Sequence, residues 1–254
     1  MVEAGNGVPA SFGMWVPTVY GPMLVNRFDT NQTNSLIKTA RAIDHEEIAI
    51  LARLLDLFPE GRVFVDVGAN FGTYTLGLAR CVGPQGRIYS FEAQRILTYM
   101  LAGSVAMNGL TNVFCYNRAI GRERSRLEIP QFDYNRPLNF GSIEFGARQR
   151  EALEQDRQYS ADHVEHVEMV TLDSFEFPRV DIIKIDVEGM EADVLEGAAE
   201  TLRRCRPILY VEHAKSDLDA LTRIIEGFDY DTHPIQHLNV LCVPMERRHQ
   251  VKVS

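Results

Sequence analysis

Val63-Phe64-Val65-Asp66-Val67-Gly68-Ala69-Asn70-Phe71-Gly72 is a continuous apolar run with one acid near its end, closed by a glycine turn. A helical stretch from about Tyr74 to Cys81 follows. The order is strand, turn, helix, with a strand apolar enough to be buried on both faces, as in a parallel sheet. A glycine turn at that junction brings a ligand close to backbone and to the N–H groups of a helix start.

The same unit recurs downstream. Residues 87–91 form a strand ending at Glu92 and lead into a helix to about Met107; residues 113–116 form the next strand. Later, Val180-Asp181-Ile182-Ile183-Lys184-Ile185-Asp186 leads into a helix from about Met190 to Arg204, and residues 207–212 into another over about 216–226. Residues 228–230 and 239–243 are placed as an antiparallel edge pair. Strands alternating with crossover helices predict an α/β fold, a doubly wound, mostly parallel sheet with an antiparallel edge.

Two regions break the rhythm. In residues 1–43, an N-terminal extension, Gly21-Pro22 is read as the turn of a small hairpin. Asp44 and Glu47 then resemble a capping box opening a helix with Ile48, Leu51, Leu54 and Leu55 at helical spacing, and the main domain is set at 44–254. Inside it, residues 122–166 carry Pro130, Pro137, Gly141 and Gly146 and then a charged stretch over 148–157, and are read as a substrate lid.

The 254 residues are 45% hydrophobic and 24% charged, the composition of an ordinary globular chain, and the formal net charge is −9. An acidic balance repels phosphate backbones and anionic headgroups, so no nucleic-acid partner is expected. The four cysteines have no metal or disulfide spacing and no apolar run is long enough for a membrane span, so a cytoplasmic protein without membrane insertion is expected.

The chemistry gathers at strand ends. A dinucleotide fingerprint would read G-x-G-x-x-G; the first turn reads D-x-G-x-N-x-G, with Asp66 ahead of Gly68 and Asn70 between Gly68 and Gly72. A carboxylate there suits a cation better than a phosphate, and S-adenosylmethionine carries an ammonium and a sulfonium and no phosphate. Glu92, 26 positions after Asp66, is placed to accept hydrogen bonds from both hydroxyls of an adenosyl ribose. Lys184, Asp186 and Glu188 stand where a parallel strand hands over to a helix, the usual ligand edge of such a sheet, whereas Glu191 and Asp193 fall in a first helical turn and read as structural. His213 and Glu212 close the next strand at the same edge.

Taken together these blocks resemble the FkbM-type methyltransferase family. The resemblance rests on residues 64–72, on Ser90-Phe91-Glu92, on Arg118-Ala119-Ile120-Gly121, on Val170-Thr171-Leu172-Asp173-Ser174-Phe175 and on residues 183–191 followed by Val194-Leu195-Glu196-Gly197-Ala198. It extends from about Gly21 to His213, and departs from the family at Glu92-Ala93-Gln94, where proline usually follows the acid. The resemblance implies S-adenosylmethionine as cofactor and methyl transfer to a hydroxyl of a sugar, polyketide or other natural product. It further implies that Asp66, Gly68, Ala69, Asn70 and Gly72, with Tyr74, Glu92, Ala93, Ala119 and Asp186, line the cofactor, and that Asn139 and Ser142 face the acceptor, with Glu212 beside them.

An alcohol attacks better once a base takes its proton. His213 or the Asp186/Glu188 pair is the candidate base, with Lys184 orienting a carboxylate or the acceptor. Asp186, Glu188 and Glu212 could alternatively hold Mg²⁺. Two other classes stay open. A nicotinamide oxidoreductase would share the sheet and Glu92 but lacks here both its second glycine and a Tyr-x-x-x-Lys pair; a non-catalytic adenosyl-binding protein would not need the charges at 184–188. The Asp-Val-Glu-Gly run at 186–189 also differs from the Asn/Asp-Pro-Pro-aromatic block that DNA amino-methylating enzymes share.

Overall fold

The computed structural model describes residues 11–145, 164–235 and 238–251. Residues 1–10 and the charged stretch at 148–157 lie outside them. An N-terminal hairpin, β1 (Gly13–Thr18) and β2 (Gly21–Asn26), precedes helices α1 (Gln32–Thr39) and α2 (His45–Leu55). Then come β3 (Val63–Val67), α3 (Thr73–Leu78), β4 (Arg87–Glu92), α4 (Arg95–Met107), β5 (Val113–Asn117) and β6 (Ala119–Ile120). After β7 (Ser125–Pro130) and β8 (Val164–Val170) the sequence continues as β9 (Ile182–Ile185), α5 (Glu191–Glu196), α6 (Ala199–Cys205), β10 (Ile208–Glu212), α7 (Leu218–Glu226), β11 (Tyr230–Ile235) and β12 (Asn239–Pro244).

The main sheet has the order β11-β12-β10-β9-β3-β4-β5. The five strands from β10 to β5 pair in parallel, and β12 and β11 add the antiparallel edge. After β3 the chain moves outward through β4 and β5, then returns to place β9 on the other side of β3. That reversal opens a crevice at the carboxyl ends of β3 and β9, where open α/β sheets take their ligands.

Strand alternation divides the core. Val63, Val65, Val67, Ile183, Ile185, Leu209 and Val211 pack with α5, α6 and α7 residues on one face; Phe64, Ile88, Ile182 and Ile208 join residues of α2, α3 and the hairpin on the other. The N-terminal extension therefore belongs to the main core, with Met23, Val25 and Leu36 buried in it. Among the described residues no helix is long and apolar enough to cross a membrane.

Three local expectations change. The hairpin turns at Val19-Tyr20, and Gly21 and Pro22 already lie in β2, opposite Thr18 and Pro17. The helix expected over about 190–204 breaks at Gly197-Ala198 into α5 and α6. A Cβ at Gly197 would stand 2.0 Å from the Gly121 carbonyl oxygen, and the Gly197 carbonyl accepts from the Asp173 N–H, so packing against the segment after β6 sets the bend. Finally, the ends of the interruption at 122–166 pair as the antiparallel strands β7 and β8, which join β6 in a second small sheet. Its described middle is wall rather than open flap: Leu138, Phe140 and Ile143 are buried, and Leu138 exchanges backbone hydrogen bonds with Phe28 and Thr30.

Candidate active site

The first turn is tied down on every side. Gly68 has φ +78°, and a Cβ there would fall 1.7 Å from the Asp186 carbonyl oxygen, so only glycine lets the turn pass β9. The N–H groups of Gly68 and Ala69 both donate to the Phe91 carbonyl, at 3.0 and 2.9 Å. The Asn70 N–H donates to Glu92 Oε2 at 2.8 Å, and the Phe71 N–H to Asn70 Oδ1 at 2.8 Å. Donors expected to greet a ligand are thus spent within the protein. The other Glu92 oxygen, Oε1, accepts from the Gln94 N–H at 2.8 Å. Burial pushes the Glu92 carboxyl up to about 7, against the lowering effect of these two N–H groups.

A cavity opens beside this turn. Gly68, Asn70, Glu92, Ala93, Ala119 and Asp186 of the expected cofactor set line it, together with Glu188. Phe91, Ile120, Leu127, Ile143, Phe145 and Met190 supply its apolar walls, and Gln94 and Arg118 complete the polar ones. Of the segment 139–142 expected to face an acceptor, Gly141 reaches the cavity, as does the following Ile143, while Asn139 and Ser142 do not line it. A Cβ on Gly141 would meet Asn70 Nδ2 at 2.4 Å, so this segment lies directly over the first turn.

Asp66, Lys184, Tyr74, Ala69 and Gly72 do not line that cavity. Parallel register instead sets Ser90, Asp66, Lys184 and Tyr210 side by side across β4, β3, β9 and β10, a polar row on the face covered by α2 and α3. Thr75 Oγ1 binds Asp66 Oδ2 at 2.6 Å and Ser90 Oγ at 2.7 Å. Lys184 Nζ donates to the Gly68 carbonyl at 2.8 Å, lies 3.0 Å from Asp186 Oδ2 and 3.7 Å from Asp66 Oδ1, and sits 5.0 Å from the centre of the Tyr74 ring. Burial alone would lower the Lys184 pKa, but Asp186 and Asp66 hold it well above the lysine range. Lys184 is therefore a fixed cation orienting Asp186 and the turn, and Asp66, expected beside a sulfonium, is fully buried as its counter-ion.

The carboxylates beyond β9 and β10 are crowded. Oxygens of Asp186, Glu188 and Glu212 lie within 4.8 Å of one another. Burial and the Asp186 carboxylate push the Glu212 carboxyl up to about 9. Burial, then Asp186, push Glu188 up to about 7, and Lys215 Nζ, 3.3 Å from Glu188 Oε2, opposes them. Lys215 also donates to the Ser142 carbonyl at 2.9 Å. Two of the three carboxylates already have a lysine beside them, Asp186 with Lys184 at 3.0 Å and Glu188 with Lys215 at 3.3 Å, which argues against a divalent ion here. His213 is half-buried one position past β10 and does not line the cavity. Glu191 and Asp193 are structural, as expected: Glu191 Oε1 accepts from the Val187 and Gly189 N–H groups, and Asp193 pairs with Arg122 at 2.5 Å.

Several site residues escaped the sequence. Gln94 Nε2 donates to the Phe140 carbonyl at 2.6 Å and joins the end of β4 to the segment above the cavity. The signal was present in the non-family run Ala93-Gln94. Asp44, expected as a helix cap, makes no cap hydrogen bond and binds Gln32 instead. Its carboxyl is pushed up to about 6 by burial, within electrostatic reach of Asp186 and Lys184.

Comparison with known proteins adds independent findings. The family model described as the methyltransferase FkbM domain matches residues 66–232. "Methyltransferase 1" of Beauveria bassiana (strain ARSEF 2860) is 30% identical over 152 residues, covering 55% of this chain and 59% of its own length. "Methyltransferase sdnD" of Sordaria araneosa is 27% identical over 163 residues, covering 56% of this chain and 62% of its own. The chain thus spans about three fifths of these curated relatives. The crystal structure of methyltransferase FkbM from Methylobacillus flagellatus KT superposes with a TM-score of 0.51 and 18% identity over 73% of this chain and 44% of that one, which shows the shared fold. With more than half of the chain matched in one block that contains the first turn, Glu92 and the strand ends of β9 and β10, this chain belongs to the FkbM methyltransferase domain family.

Proposed function

We propose that the chain binds S-adenosylmethionine in the cavity beside β3 and transfers its methyl group to a hydroxyl of a small molecule or glycan. One observation carries the choice of cofactor. The N–H groups from Gly68 to Gly72 are all spent on internal acceptors, so a diphosphate would find no cradle there. The donor set fits the methyl donor instead: Phe91, Ile120 and Leu127 flank a site for a purine, Glu92 keeps lone pairs for ribose hydroxyls, and Asp186 and Glu188 offer negative charge to the ammonium and sulfonium. That compound supplies an electrophilic methyl, whose bond to sulfur breaks with its electron pair left on sulfur as the acceptor oxygen takes the carbon.

The protein's own part is positioning and proton removal. Glu188 lines the cavity, and a carboxyl raised to about 7 is well matched to accept a hydroxyl proton near neutral pH. It displaces His213 as the preferred base because it is the one of the two at the cavity wall. Lys184 fixes Asp186 and, through the Gly68 carbonyl, the turn beside it. Calorimetry with S-adenosylhomocysteine and with NAD tests the reading. Binding of the former and not the latter is expected; the reverse result would assign the cavity to a nicotinamide cofactor.

A further inference from the structure

A second group of acids lies around Tyr210, the β10 member of the polar row. Asp44 stands just before α2 and Glu47 in its first turn, Glu212 ends β10, and the Tyr210 hydroxyl lies within electrostatic reach of all three and of Asp186. Tyr210 is 1% exposed, and its hydroxyl has no hydrogen-bond partner among the described residues. Asp44, Glu47 and Glu212 are each partly accessible. Lys184, the cation nearest to them in the polar row, is already committed to the Gly68 carbonyl and to Asp186. The group therefore sets several carboxyls around a buried phenol that lacks a partner, and both are satisfied by a ligand that brings a cation and a hydroxyl.

We propose that the acceptor sits between the N-terminus of α2 and the end of β10, and that it is a hydroxyl compound bearing a protonated amine. Asp44 and Glu47 hold the amine, Tyr210 takes a hydrogen bond from the acceptor or gives one, and the hydroxyl to be methylated points past Asp186 toward Glu188. The segment supplying Asp44 and Glu47 precedes residue 66, where the match to the family begins, so this specificity comes from residues outside the matched block. The inference rests on the methyl-transfer reading.

An extract of the encoding organism is separated at pH 7 on a sulfonate resin into retained and unretained small molecules. Each fraction is then incubated with the protein and S-adenosylmethionine labelled on its methyl group. Label is expected in the retained fraction, and the Asp44→Asn/Glu47→Gln double variant should cut it on the order of tenfold or more, with S-adenosylhomocysteine affinity unchanged by calorimetry. Absence of label from the retained fraction, or full labelling by a double variant that melts like the parent, overturns the proposal. Calorimetric binding of S-adenosylhomocysteine in the same preparation keeps the methyl-donor reading standing when only the acceptor inference has failed; its absence sinks both.

Discussion

The two ends of the cavity obey opposite rules. At the β3 and β4 end, each backbone donor of the turn from Gly68 to Gly72 has a protein acceptor, and the Glu92 carboxylate is held by two N–H groups. At the β9 and β10 end, Asp186, Glu188 and Glu212 are packed against one another, and Glu188 and Glu212 are raised by burial and mutual repulsion. The first end is preorganised and should hold a ligand's shape. The second stores electrostatic tension that a proton or cation relieves, and it is where chemistry is expected.

That contrast predicts that substitutions at the two ends separate catalysis from binding. The largest effect should come from Glu188→Gln, which removes the proposed base: turnover is expected to fall by roughly 10²- to 10⁴-fold while S-adenosylhomocysteine affinity changes little, measured by product release and calorimetry. Because the base must be deprotonated to act, activity of the parent should also fall as pH drops below about 7, and a pH profile that stays flat to well below that value would remove Glu188 from the role. Glu92→Ala should instead weaken S-adenosylhomocysteine by about 10- to 100-fold, the worth of losing charge-assisted hydrogen bonds to two hydroxyls.

Gly68→Ala probes the preorganised end through stability. Its Cβ would collide with the Asp186 carbonyl at a positive φ, so a loss of at least about 2 kcal/mol and a fall in Tm of ~4 °C or more are expected in a thermal melt. His213→Ala should have the smallest effect, leaving turnover within about threefold of the parent, since surface substitutions away from a site shift little. A large loss there would restore the histidine as base and blur the division between the two ends.

The sheet was legible because parallel strands in such a fold are apolar runs, and its five parallel strands, β3, β4, β5, β9 and β10, could be read from runs of that kind. Glu92 was legible for a related reason: it ends such a strand. Asp66 was visible, but the residue sequence does not say which face of the sheet its side chain takes. Alternation alone puts Asp66 and Lys184 on the α2 and α3 face, and only the register Asp66 opposite Lys184 shows that they neutralise each other there. Likewise Asp44 read as a helix cap, a local device, since its meeting with Gln32 and its approach to Asp186 depend on where α2 packs.

The order of apolar runs, the glycine turn and the acids at strand ends, all properties of short stretches, were enough to determine by themselves the doubly wound sheet and the family. Tertiary structure decided which carboxyls line the cavity, which is a buried counter-ion and which are pushed up by burial. Those properties depend on burial and on charges brought within a few ångströms from distant segments, and no local stretch contains that information.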